Sequence, residues 1–188
     1  MQRGGTPWYN IGLDETNNGL SPILYAAVFS NNRADVKYHP EKILEKCREH
    51  KESSDLKNPS LLKLADKDYR FLFWDDAHKI LIPSFKKWGI IISSLIYGEP
   101  THRSLNLYLD GNLGDIDTDF TKHVLNETTG ILKKKIRIIS GPSLDERIEL
   151  VNLSDQTAHW LATKSLTELS KNRRKRSVRY KELLKYIK

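Results

Sequence analysis

Three places along the chain set a carboxylate at the edge of an apolar run. Asp14-Glu15 follows Trp8-Tyr-Asn-Ile-Gly-Leu13, Asp110 follows Leu105-Asn-Leu-Tyr-Leu109, and Asp155 precedes a stretch with apolar residues at helical spacing. Strand ends and helix starts can meet at one edge of a sheet. Carboxylates gathered there repel one another and raise each other's pKa unless cations sit between them, so a converging set calls for hard divalent ions. Two such ions would activate water and steady the leaving oxygen of a phosphodiester. Magnesium wants oxygen ligands and open water positions and needs no cysteine, conditions this chain can meet. Taken singly each acid has a plainer explanation: a polar strand end, an Asp-Gly-Asn turn, an acid matched to a helix dipole. Only their joint placement points to chemistry.

Other candidates are weaker. Asp115-Ile-Asp-Thr-Asp119 alternates like a calcium loop, but Phe120 stands where the sharp turn needs glycine and Asn126 where a bidentate Glu is required, so it reads as a helix start. The six histidines show no His-x-x-x-His spacing. His159 alone lies near a proposed acid, and a packed or solvent-facing role suits it better than orienting a water. Trp88 and Trp160 read as core. Lys133, Lys134, Lys135 and Arg137 suit either a solvated loop or phosphate contacts.

The elements that must position the acids are readable in outline. Residues 8–14 and 24–29 read as two strands joined by a short polar turn, hence an antiparallel hairpin. Pro40 followed by Ile43, Leu44 and Cys47 predicts a helix over 40–50. Residues 69–74 could be a strand or the start of a buried helix, and 80–97 reads as a buried helix. The alternation of Leu105, Leu107 and Leu109 predicts a strand over 104–110 that delivers Asp110 to its carboxyl end. A helix over 117–132, a strand over 135–139, a short strand or extended approach over 148–153, and a helix over 154–169 capped by Ser154 or Asn152 complete the body. A last amphipathic helix spans 179–187.

Length and charge bound the rest. With 188 residues, 38% hydrophobic and 29% charged, the chain suits one folded domain and is too apolar for disorder. The longest apolar run, 88–97, is about half of what a membrane span needs. The amino terminus lacks the apolar stretch of a signal peptide, so the expected location is cytoplasmic with no membrane partner. The single cysteine, Cys47, excludes an internal disulfide and a Cys-rich zinc site. The net charge of +7 belongs to the tail: residues 171–188 carry nine basic side chains against Glu182, while the other 170 hold 22 basic and 23 acidic residues. The expected organisation is a body over 1–170 and a basic tail over 171–188, in which Arg173, Arg174, Lys175 and Arg176 are the handle for a nucleic acid; a solubilising helix is the alternative. The oligomeric state is not legible.

The residues also resemble a family. Ile11-Gly-Leu-Asp-Glu-Thr-Asn-Asn-Gly19, followed by Ala26-Ala27-Val28, resembles the Ile-Asp-Glu-Ala-Gly-Arg-Gly opening of type 2 ribonucleases H. Leu109-Asp-Gly-Asn112 resembles that family's Val-Asp-Gly-Asn strand end, and the order helix, strand, Asp155, small-residue helix is similar over residues 8–170. The resemblance implies an α/β, ribonuclease-H-like fold, a mixed sheet flanked by helices with its first hairpin antiparallel, here with a basic C-terminal helix. It implies that Asp14 bridges two Mg2+ (or Mn2+) ions, that Glu15 and Asp110 complete the shell of one, and that Asp155 holds the other. The implied activity is two-metal endonucleolytic hydrolysis of RNA or an RNA–DNA hybrid by in-line attack of water, leaving a 5′-phosphate and a 3′-hydroxyl. Where the family has Gly-Arg-Gly, this chain has Thr16-Asn17-Asn18-Gly19, which makes Asn17 and Asn18 the candidate contacts to nucleic acid and predicts weaker discrimination between ribo- and deoxyribo-substrates. Two alternatives stay open: a structure-specific DNA nuclease of the same superfold, and a non-catalytic nucleic-acid-binding module.

Overall fold

A computed structural model describes residues 9–16, 23–44, 67–74, 84–96 and 104–162. Their elements are β1 (Tyr9–Thr16), β2 (Ile23–Ser30), β3 (Asp68–Trp74), α1 (Ser84–Ile96), β4 (Leu105–Asp110), α2 (Asp115–Thr129), β5 (Ile136–Gly141) and α3 (Glu149–Ala162). The strands form one sheet in the order β3-β2-β1-β4-β5. β1, β2 and β3 run antiparallel as a meander, and β1, β4 and β5 run parallel. This is the mixed sheet with an antiparallel first hairpin.

Alternation along the strands sorts side chains onto two faces. Ile11 and Leu13 of β1, Tyr25, Ala27 and Phe29 of β2, and Leu105, Leu107 and Leu109 of β4 join Ile91, Ile92 and Leu95 of α1 and Leu125 of α2 in one core. Leu24, Ala26 and Val28, with Tyr69, Phe71 and Tyr108, join Leu150, Val151, Leu153 and Leu161 of α3 in the other. All of β2 is buried, which accounts for its unbroken apolar sequence. On the α3 face Asn10 and Asn106 lie opposite each other, and the Asn106 amide donates to Asn10 Oδ1 at 2.9 Å.

Two glycines permit close approach. A Cβ on Gly12 would lie 2.8 Å from Ser154 Oγ and closer still to the Leu150 backbone, so α3 sits directly on β1. Gly89 of α1 faces the Phe120 ring of α2 at a Cβ distance of 3.1 Å, which offsets its poor helix propensity. Gly130, at φ 72°, ends α2 in the left-handed conformation, its N–H bonded to Asn126 O.

Two expectations are corrected. Residues 40–44 are not helical: the Ile43 and Leu44 N–H groups donate to Glu146 O across the fold, while the helix would have used them locally. Residues 45–50 lie outside the described set. The stretch 149–153 is helix and not strand, so α3 begins at Glu149 and neither Asn152 nor Ser154 caps it. Residues 150–158 are buried throughout, Asn152, Ser154, Asp155, Gln156 and Thr157 among them, so polar and apolar residues do not divide into the exposed and buried stripes that would reveal a helical period. The segment 69–74, whose pattern allows strand or helix, is strand β3. Residues 163–169, the helix expected over 179–187 and the basic tail over 171–188 lie outside the described residues. No described helix is long and apolar enough to cross a membrane.

Candidate metal and nuclease site

The parallel pairing of β1 with β4 puts Leu13 opposite Leu109. The next residues, Asp14 and Asp110, therefore lie side by side where the pairing of β1 with β4 ends, Asp14 still paired with Ala26 of β2, on the face that α3 covers. β5 pairs with β4 up to Asp110↔Gly141, and the chain then turns back through Ser143, a non-glycine residue at φ 60°. The Leu144 N–H donates to Asp110 Oδ1 at 2.8 Å, and this turn brings in a third acid, Asp145. One carboxylate oxygen from each of Asp14, Asp110 and Asp145 lies within 4.8 Å of the other two.

Asp14 and Asp145 are buried and Asp110 is half-buried. The Asp14 carboxyl is pushed up from 3.8 to about 9, first by burial and then by the charge of Asp155, with smaller contributions from Asp110 and Asp145. The Glu15 N–H, 2.7 Å from Asp14 Oδ1, opposes the rise. Without a counter-ion this group keeps its proton at neutral pH. A cation is the partner that would let it ionise.

Asp155 lies in the middle of α3 and not at its start. It is buried, its charge acts on Asp14 more than that of any other acid, and His159 Nε2 is 3.3 Å from its Oδ1 one helical turn away. Glu15 alternates to the opposite face of β1. It pairs with Tyr25 in the ladder, and its Oε2 is 3.6 Å from Lys87 Nζ of α1. Burial, then the neighbouring Glu15 charge, push the Tyr25 hydroxyl above the usual tyrosine range. Asp14, Asp110 and Asp155 thus share one side of the sheet end with Asp145, while Glu15 looks toward α1. Asn17, Asn18, Arg173, Arg174, Lys175 and Arg176 lie outside the described residues.

Sequence reasoning missed Asp145. It sits in a turn, where no periodicity marks it, yet one signal was available. A strand parallel to β4 must end at the same sheet edge as Asp110, so an acid shortly after β5 belongs with the strand-end acids. Of the weaker candidates, the Asp115–Asp119 run and the two tryptophans take the plain roles expected of them. Asp115 and Asp117 occupy the first turn of α2. Trp160 packs edge-on to Tyr69 and Trp88 edge-on to Tyr25. Lys133–Lys135 immediately precede β5, at the sheet edge away from the acids.

The donor set fits a hard divalent cation: three carboxylates, oxygen only, with one group whose charge the fold suppresses until a cation compensates it.

No family model matches the chain, and no curated protein matches it. Solved structures do. RNase HII of Archaeoglobus fulgidus, in its complex with PCNA, is 15% identical, covers 86% of this chain and 75% of its own, and superposes with a TM-score of 0.52. Ribonuclease H2 of Pyrococcus horikoshii OT3 is 15% identical over 87% of this chain and 76% of its own, with a TM-score of 0.49. Bst-RNase HIII in complex with Mn2+ is 13% identical over 88% of this chain, with a TM-score of 0.49. The chain spans 56% of the length of that last protein. The likeness to the archaeal RNase HII, together with the β3-β2-β1-β4-β5 sheet, makes the fold ribonuclease H-like.

Proposed function

We propose that this chain is a divalent-metal-dependent nuclease that hydrolyses phosphodiester bonds in nucleic acid. The observation that carries the reading is the convergence of Asp14, Asp110 and Asp145 within 4.8 Å at the carboxyl ends of β1, β4 and β5 in a ribonuclease H-like fold. These three carboxylates would hold the first ion, and Asp155, whose charge acts on Asp14, would be available to a second. Glu15, assigned to the same shell by the resemblance, would have to leave Lys87 to join it. Mg2+ or Mn2+ suits the all-oxygen donor set. When bound, such an ion supplies an activated water and stabilises the leaving oxygen.

The chain's own groups set the geometry. The Glu15 N–H orients Asp14, the Leu144 N–H holds Asp110, and His159 borders Asp155. Placing two ligands on adjacent parallel strands makes their separation a property of the sheet, which is the kind of preorganisation an electrostatic catalyst needs. The substrate is RNA or an RNA–DNA hybrid, gripped by a body over 1–170 and a tail over 171–188, and endonucleolytic cleavage leaves a 5′-phosphate. The protein is expected to work in the cytoplasm.

The test is incubation of labelled RNA–DNA hybrid, duplex DNA and branched DNA with Mg2+ or Mn2+. The expected result is cleavage of the hybrid that Asp14→Asn, Asp110→Asn and Asp145→Asn each abolish. No cleavage of any substrate, with the variants indistinguishable from the parent, removes the enzyme reading and leaves a nucleic-acid-binding module. Cleavage confined to branched DNA supports the structure-specific DNA nuclease.

A further inference from the structure

Asp145 stands on neither a strand nor a helix; it lies in the turn between β5 and α3. A ligand carried by a turn is fixed only as well as the turn is. On its amino side the Leu144 N–H is bonded to Asp110, and Leu144 O accepts from the Arg147 and Ile148 N–H groups at 3.0 and 2.8 Å. On its carboxyl side the partners come from a distant part of the chain. Glu146 O accepts from the Ile43 and Leu44 N–H groups at 3.3 and 3.2 Å, and Arg147 O accepts from the His39 N–H at 3.0 Å. The Lys42 ammonium pairs with the Glu146 carboxylate, and the Arg147 guanidinium donates to the Tyr38 hydroxyl. The peptide groups flanking Asp145 are therefore held on one side by Asp110 and on the other by residues 38–44.

Apolar burial does not hold this segment in place. Tyr38 is 50% exposed and Ile43 56% exposed. Its root is anchored at Asp35, which is buried, accepts from Ser30 Oγ and pairs with Lys67 Nζ at 2.6 Å. From that anchor the chain runs out to the Asp145 turn and attaches through polar contacts.

We infer that residues 38–44 are a clamp that positions Asp145 for the ion, with Tyr38 and Arg147 as the positioning pair at its outer end. The inference rests on the metal-site reading proposed for Asp14, Asp110 and Asp145. Neither side chain touches the ion or the substrate; both act through the turn.

The test is calorimetric titration of the full chain with Mn2+ alone, on the parent and on Tyr38→Phe, Arg147→Ala, Arg147→Lys and Ile43→Pro, each checked for folding by circular dichroism without metal. Groups that orient a ligand usually change metal affinity by about 10–100-fold when removed. Arg147→Ala and Ile43→Pro should weaken Mn2+ binding about tenfold, Arg147→Lys should restore part of it by donating to the Tyr38 hydroxyl, and cleavage at saturating Mn2+ should approach the parent rate. If Ile43→Pro does not fold, Arg147→Ala and Tyr38→Phe decide, since neither enters the core. A parent that binds Mn2+ and a folded Arg147→Ala that binds it equally overturn the clamp alone. A parent that binds no Mn2+ overturns the metal site and the clamp with it.

Discussion

Replacing Asp14 with asparagine should stabilise the metal-free protein at neutral pH, although it removes a residue of the proposed site. The Asp14 carboxyl is raised from 3.8 to about 9, chiefly by burial and next by Asp155. Between those limits the folded chain retains a proton that the unfolded chain has released. The proton count of the unfolded state minus that of the native state is then close to −1, so the free energy of unfolding falls as pH rises. One proton is worth ~1.4 kcal/mol per pH unit, giving a ceiling of roughly 2.7 kcal/mol lost between pH 5 and pH 7. At about 2–4 °C per kcal/mol for a chain of this size, that is a fall in Tm of roughly 5–10 °C. The proton belongs to the whole cluster, because Asp110, Asp145 and Asp155 all act on Asp14. Neutralising one member removes much of the repulsion. The assay is thermal unfolding in EDTA from pH 5 to pH 8, parent against Asp14→Asn, with the difference between the two curves isolating this group from the histidines. The parent should lose stability with pH more steeply, and saturating Mn2+ should cancel the difference in slope. Parallel curves in EDTA would refute the reasoning.

Gly12→Ala drives a methyl into the Leu150 backbone and within 2.8 Å of Ser154 Oγ. It should cost about 1–3 kcal/mol by overpacking, read as a lower Tm with α3 displaced from β1; an unchanged Tm would contradict the packing described. Deleting residues 171–188 should weaken binding to many nucleic acids about equally and flatten the slope of log affinity against log salt by about 0.9 for each phosphate the tail neutralises; an unchanged slope makes the tail a solubilising segment. With Thr16-Asn17-Asn18 where type 2 ribonucleases H carry glycine and arginine, cleavage should discriminate weakly between ribo- and deoxyribo-substrates, which a panel of single-ribonucleotide junctions measures. Cleavage confined to such a junction would contradict this.

Which parts were legible in the sequence follows from what each part depends on. β4 was readable because Leu105, Leu107 and Leu109 alternate with polar neighbours, a local pattern with a single solution. The first hairpin was readable because two apolar runs lie a short turn apart, and the side-by-side placement of Asp14 and Asp110 follows once β1 and β4 pair in parallel. The start of α3 was not legible, since Leu150, Val151 and Leu153 are all buried and their pattern serves strand and helix equally. The failure of the helix at 40–44 depends on Glu146, a partner about a hundred positions away that no local rule sees. Asp145 was missed for the same reason: its place is set by which strand β5 pairs with, a tertiary choice. The turning of Glu15 toward Lys87 follows from simple alternation, and the resemblance that grouped it with Asp14 carried no information about faces.

The most direct test of the account is the position of bound Mn2+, found by anomalous diffraction from crystals of the full chain soaked in that ion. The account predicts a strong peak bounded by oxygens of Asp14, Asp110 and Asp145 at about 2.1–2.5 Å, absent in Asp145→Asn. A fully occupied Mn2+ elsewhere, with these three carboxylates still within 4.8 Å of one another and no peak between them, would contradict it.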